Sequence, residues 1–165
     1  MGACLPRGPR GTMRTMLAFR PLFDAHVELA EILAVGRTPV GERRVINILG
    51  GWFRGERLAG RVRPGGADWQ SIGDDGAARL DARYTLETDG GALIQVHSQG
   101  LRHGPPEVLA RLAAGEAVDP AHYYFRTVLR FETAADDLAW LNRIIAVAKG
   151  ARLPRAVRLD AFELL

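Results

Sequence analysis

Cysteine, serine and lysine are all scarce in this chain, and each scarcity removes a class of chemistry. The only cysteine is Cys4; one thiol cannot close an internal disulfide or build a cysteine zinc site, which fits a reducing, cytoplasmic setting. Serine occurs only at Ser71 and Ser98, neither inside G-x-S-x-G. A serine or cysteine nucleophile is therefore disfavoured. Lysine occurs only at Lys149, and arginine supplies the rest of the 22 basic residues, alternating with Asp and Glu along predicted strands. That spacing gives solvated faces, whereas nucleic acid requires one basic surface with interleaved aromatics, so no nucleic-acid partner is expected.

Other absences narrow the field further. No stretch approaches the ~18 consecutive apolar residues of a membrane helix, and MGACLPRGPRGTMRTMLAF has no apolar segment of secretory length, so neither membrane insertion nor export is expected. No GK[ST] occurs and the glycines of GGWFRG open no helix, which leaves P-loop and dinucleotide sites unsupported. The histidines, His26, His97, His103 and His122, lack H-x-H or H-E-x-x-H spacing; no metal and no cofactor is expected.

What is present is globular composition: 165 residues, 47% hydrophobic and 25% charged. A chain of this length forms one domain burying roughly 70% of its unfolded surface. The formal charge is +3, and without Arg7 and Arg10 the residues from 13 onward carry +1 (3 − 2). Met13 and Met16 offer alternative starts, so residues 1–15 read as a disordered extension or an over-long gene start, and 16–165 as a single β-barrel domain.

Period two dominates the chain. The clearest run is Ala78 to Glu87, where Ala78, Leu80, Ala82, Tyr84 and Leu86 oppose Arg79, Asp81, Arg83, Thr85 and Glu87. Strands are likewise predicted over 23–35, 44–53, 57–63, 92–100, 123–132, 144–148 and 157–162. Val45 to Phe53 is apolar on both faces, which points to a covered outer side, such as a homo-oligomer contact. Pro105-Pro106 opens a helix with Val108, Leu109 and Leu112 on one face, ending at Gly115 and able to plug a barrel end. Thr133, three residues before Asp136, caps a second short helix through Asn142.

The stretch from Gly50 to Trp69, GGWFRGERLAGRVRPGGADW, organises the rest, with Gly50, Gly51, Gly55, Gly65 and Gly66 marking bends, bulges or corners in a curved sheet. The fold class is all-β: a single closed or nearly closed antiparallel β-barrel of about eight or nine strands with two short helices. A two-layer sandwich is the alternative.

Candidate site residues follow from polar groups set in apolar motifs. Asp68, beside Trp69 after a Pro-Gly-Gly turn, is the candidate catalytic base, because partial desolvation raises a carboxyl toward useful values; the bland alternative is a turn aspartate and a core tryptophan. Tyr84 lies on an apolar face, where its hydroxyl needs a partner. His103 sits in a loop fixed by Gly104, Pro105 and Pro106. Tyr124 and Arg126 share one face of their strand; if the apolar set looks inward, Arg126 looks out, and if inverted it points a guanidinium into the cavity. Trp140 and Asn142 are further ligand-binding candidates, with helix anchoring the favoured reading.

The motifs GGWFRGERLAGRVRPGGADWQ, LDARYTLETDGGALI, GLRHGPPEV, YYFRT and DLAWLN closely resemble the family known as domain of unknown function 3237, or uncharacterised protein family UPF0311, from about Phe23 to the C-terminus. The resemblance implies a compact β-barrel and no established general activity. Gly51, Phe53, Gly55, Gly66, Asp68, Trp69, Asp81, Tyr84, Arg126, Trp140, Leu141 and Asn142 fall on its motifs. Leu138, where similar proteins often have tyrosine, and Val128-Leu129, where a proline is expected, depart from it.

The leading functional expectation is a barrel that binds a small, partly apolar ligand, anionic or neutral. The alternatives are a cofactor-free enzyme of isomerase or lyase type with Asp68 as general base, and a homo-oligomeric interaction module without pocket chemistry.

Overall fold

The computed structural model describes residues 16–165, so the expectations for residues 1–15, Cys4 included, fall outside the described residues. Nine strands form one antiparallel sheet: β1 (Phe19–Thr38), β2 (Gly41–Arg54), β3 (Ala59–Val62), β4 (Ala67–Ile72), β5 (Ala78–Thr88), β6 (Leu93–His103), β7 (Tyr124–Glu132), β8 (Ala146–Leu153) and β9 (Ala156–Leu164). Strands consecutive in sequence pair with each other except β3 and β4, and β1 pairs with both β2 and β9, so the sheet closes on itself as a ring. The ring is uneven. β3 and β4 lie end to end between β2 and β5, sharing one stave kinked at Arg63–Gly66. The barrel expectation holds, and closure removes the sheet edges that a sandwich would leave.

The period-two runs explain why the ring closes this way. Even positions of β5 and β6 and odd positions of β7 and β9 carry the buried side chains, among them Leu86, Ile94, Val96, Leu129 and Leu159. Their burial contributes roughly 1.5–3 kcal/mol per large side chain. Two glycines let the wall bend. Gly51 has φ +132°, and a Cβ there would stand 1.9 Å from the carbonyl oxygen of His26 on β1. At Gly66 the obstacles are the Arg83 carbonyl oxygen and the Tyr84 Cβ, which would lie 2.5 and 2.6 Å from an added Cβ. Gly50 and Gly65 also have positive φ, and an added Cβ at Gly55 would stand 2.0 Å from the Leu22 carbonyl oxygen.

The two ends of the barrel differ. At one end Phe23, Phe53, Leu58, Phe131, Leu138 and Leu141 fill the interior. Leu138 and Leu141 come from a 3₁₀ helix over Asp136–Arg143. At the other end helix α1 (Pro106–Ala113) lays Val108 and Leu112 on Ala78, Leu80, Tyr123 and Phe125, covering part of the mouth as expected.

Several boundaries differ from expectation. The residues around Asp68 form a strand, β4, where the sequence reading ended in a turn. β6 continues through His103 and β8 through Leu153, well beyond Gly100 and Ala148. The second helix is 3₁₀ and starts at Asp136 without a Thr133 cap; Thr133 is instead clamped by Asn142, whose Oδ1 accepts from its N–H and whose Nδ2 donates to its carbonyl. The outer side of Val45–Phe53 faces solvent in the single chain, with Leu49 and Trp52 exposed. Among the described residues no helix is long and apolar enough to cross a membrane.

Candidate functional site

The barrel interior opens at the α1 end into a funnel of about 600 Å³. Leu29, Ile46, Ile72, Leu109 and Leu112 give it apolar walls, and Arg44, Arg102 and Arg152 reach into it. Beneath lies an inner chamber of about 50 Å³, lined by Asp68, Gln70, Tyr84 and Ser98 among aliphatic side chains. Leu29, Ile46, Arg102 and Arg152 line both spaces, so the arginines form the boundary between funnel and chamber.

Strand parity places every one of these groups. Asp68 and Gln70 are alternate residues of β4, Arg44 lies two before Ile46 on β2, Arg102 continues the inward series Ile94, Val96, Ser98, Gly100 on β6, and Arg152 continues Ala146, Ala148, Gly150 on β8. Inward polar groups at the open end replace the hydrocarbon of the closed end.

A hydrogen-bonded chain runs through the chamber wall. Arg44 Nε donates to Gln70 Oε1 at 2.8 Å, and Gln70 Nε2 donates to Asp68 Oδ2. Asp68 Oδ1 accepts from the Asp81 N–H at 3.1 Å. Gln70 is buried, so both its amide atoms are used where water is scarce.

The electrostatics follow from burial. Desolvation raises the Asp68 carboxyl above its ordinary range, opposed by the bonds from Gln70 and Asp81 and by the charges of Arg102 and Arg44. Burial, followed by repulsion from Arg44 and Arg152, lowers Arg102 to about 10. Arg44 and Arg152 are lowered chiefly by burial as well. Tyr84 is raised by burial and by the neighbouring Asp68 charge. Three buried polar atoms have no hydrogen-bond partner among the described residues: Tyr84 Oη, Arg102 Nε and Thr127 Oγ1. Buried polar atoms are ordinarily paired, so these mark places where an incoming group would gain a bond.

The residues expected from sequence divide. Asp68 and Tyr84 face the chamber. Trp69, the next residue on β4, points outward and is exposed, as parity requires. His103 and Tyr124 stack on each other on the outer surface, with ring centroids 4.9 Å apart. Arg126 packs its guanidinium over Tyr124 and donates to the Phe125 carbonyl, so the inverted orientation is not the one adopted. Trp140 lies at the closed end beneath the Arg57 guanidinium, and Asn142 clamps Thr133 there. None of these six lines the funnel or the chamber. Sequence reasoning missed Arg44, Gln70 and Arg152 and read Arg102 only as a loop cation near the barrel mouth; extending strands 92–100 and 144–148 by their own odd-even rule reaches Arg102 and Arg152, and Arg44 shares the parity of Ile46 and Ile48 within its predicted strand.

The chain is similar to proteins of known structure and to catalogued relatives. The family model "Protein of unknown function (DUF3237)" matches residues 17–164. A UPF0311 protein of Rhodopseudomonas palustris is 39% identical over 153 residues, which are 93% of this chain and all of the relative. The crystal structure of a conserved protein of unknown function from the same species superposes with a TM-score of 0.89 at 38% identity, covering 92% of this chain and 99% of that one. A protein of Acinetobacter baumannii described as β-barrel like matches with a TM-score of 0.81 at 42% identity, covering 93% and 99%. An enzyme from Penicillium herquei shares the fold, with a TM-score of 0.71 at 21% identity over 94% of this chain and 99% of the other. The chain belongs to the DUF3237 family, and relatives 35–39% identical to it are named UPF0311 proteins.

Proposed function

We propose that this protein binds a small, partly apolar, anionic molecule in the funnel of its barrel. The apolar body rests on Leu29, Ile46, Ile72, Leu109 and Leu112, and the anionic end meets Arg44, Arg102 and Arg152. The observation that carries this reading is Arg102. Its guanidinium is buried at the funnel floor, and its Nε has no partner among the described residues. A buried cation without a paired anion is costly, so an anionic ligand supplies what the fold leaves open. Thermal melting with arylcarboxylates such as cinnamate tests it: cinnamate should raise the melting temperature of the wild type and not of Arg102→Met. Equal shifts in both proteins contradict the assignment.

A second reading makes the same chamber catalytic, as a cofactor-free isomerase or lyase. Asp68, with its raised pKa, would act as general base, and the unpartnered Tyr84 hydroxyl would donate to a developing enolate oxygen. Asp68→Asn separates the two readings. It should abolish any turnover while sparing binding if the carboxyl moves protons, and leave turnover untouched otherwise. Self-association through the Val45–Phe53 face, where Leu49 and Trp52 are exposed, is the third reading, and light scattering tests it.

A further inference from the structure

The funnel floor carries more positive charge than the protein balances. Arg44, Arg102 and Arg152 arrive from β2, β6 and β8, and the one carboxyl facing them from the chamber is Asp68. Glu31, Glu42 and Arg155 also line the funnel, exposed at its rim where water screens them; Glu42 attracts Arg44 from there, whereas Asp68 is the one carboxyl that acts on Arg102 and Arg152. Elsewhere seven arginines find carboxylates: Arg20 and Arg57 share Glu163, Arg61 and Arg63 share Glu87, and Arg37, Arg111 and Arg158 each have a partner, whereas arginines without one, such as Arg79, Arg83, Arg126 and Arg130, are exposed to water. Among the described residues none of the three floor arginines forms an ion pair. Their hydrogen bonds go to neutral acceptors, from Arg44 Nε to Gln70 and from Arg152 Nη1 to the Ala156 carbonyl.

Three guanidinium charges less one carboxylate leave two. We propose that the head group received here carries two negative charges on an apolar body sized for the funnel, the chemistry shared by aryl phosphate monoesters and vicinal aryl dicarboxylates. This deepens the anion reading above and rests on it. A single negative charge would leave one guanidinium repelling the others in a half-buried site, whereas two close the balance. Approach from three strands also suits such a group, because each guanidinium can address a different oxygen. The mutual repulsion that contributes to lowering Arg102 belongs to the same surplus.

Isothermal titration of the full chain at pH 8 decides the matter, with benzyl alcohol, benzoate, phthalate and phenyl phosphate as probes. At least one dianion is expected to bind about 10-fold or more tightly than benzoate, with benzyl alcohol weakest. A gain by phenyl phosphate alone assigns the phosphate monoester, and a gain by phthalate alone the dicarboxylate. Arg152→Gln should lower the favoured dianion at least about 10-fold and benzoate less than about 3-fold. Arg44→Gln is the second variant, and thermal melting establishes that each is folded. Benzoate binding as tightly as both dianions, or a variant that weakens every anion by one factor, overturns the inference and leaves the preceding reading standing. Failure of all four probes overturns both.

Discussion

Asp68 Oδ1 on β4 accepts a hydrogen bond from the Asp81 N–H on β5 at 3.1 Å, so the carboxyl that faces the chamber is also a tie in the wall around it. The β4–β5 ladder pairs Asp68 with Ala82 and Ser71 with Arg79, and it skips Trp69 and Gln70 between them. The Asp68 side chain takes up a backbone donor that the ladder leaves over.

That double role separates two substitutions. Asp68→Ala strands both the Asp81 N–H and the Gln70 amide, and should cost about 1–3 kcal/mol of unfolding free energy. Asp68→Asn keeps an acceptor for Asp81 and should cost about 1 kcal/mol, because only the Gln70 bond is disturbed. It also removes the one carboxylate beside the arginines, so benzoate should bind several-fold more tightly. Urea melts and calorimetry on the two variants check both statements.

Asp68 also sets a pH dependence. Its folded pKa is raised above the ordinary 3.8, so the native state holds this proton more tightly than the unfolded chain does. The contribution is fully present below that ordinary value and is lost as pH rises through the folded one. Relative to Asp68→Asn, the wild type should therefore lose stability between those two pKa values and run parallel above them. Urea denaturation of both proteins from pH 3.5 to 8 measures the difference; a gap that widens in favour of the wild type with rising pH contradicts it.

Arg102 should trade stability against binding. Replacing this buried, partly unbonded cation by methionine removes a desolvation cost. Arg102→Met should leave unfolding free energy unchanged or raise it by up to about 2 kcal/mol, while abolishing the response to anions. Urea melts with and without benzoate show both effects.

The closed end should behave differently. Glu163 is buried and is held by Arg57, whose guanidinium lies 3.9 Å from the Trp140 ring centroid. Arg57→Ala leaves Glu163 with Arg20 at 3.7 Å, so the loss should be about 1–3 kcal/mol. Benzoate affinity should not change, because Arg57 lines neither funnel nor chamber. A melt and a titration on one sample check both.

The barrel was legible because alternation persists along nearly every strand, and the glycine-rich stretch announced its bends. The site was legible only in Asp68 and Tyr84. His103, Tyr124 and Arg126 stand out as chemistry in a linear reading, yet Phe125 takes the inward position and turns both of its neighbours to solvent. Arg102 reads in sequence as a loop cation near the barrel mouth, because Gly100 is the predicted end of its strand. In the fold Gly100 faces the close approach of Arg126 and Thr127, where an added Cβ would stand 2.1 Å from the Arg126 carbonyl oxygen, and β6 continues past it. The surplus of arginine at the mouth belongs to three strands distant in sequence, so no local pattern carries it.

Side-chain NMR of arginine Nε–H groups during titration with benzoate tests the central claim most directly. Saturable shifts of Arg102, together with Arg44 or Arg152, are predicted, with the exposed Arg126 and Arg130 unaffected. Shifts confined to surface arginines, with Arg102 unmoved at saturation, would contradict the account.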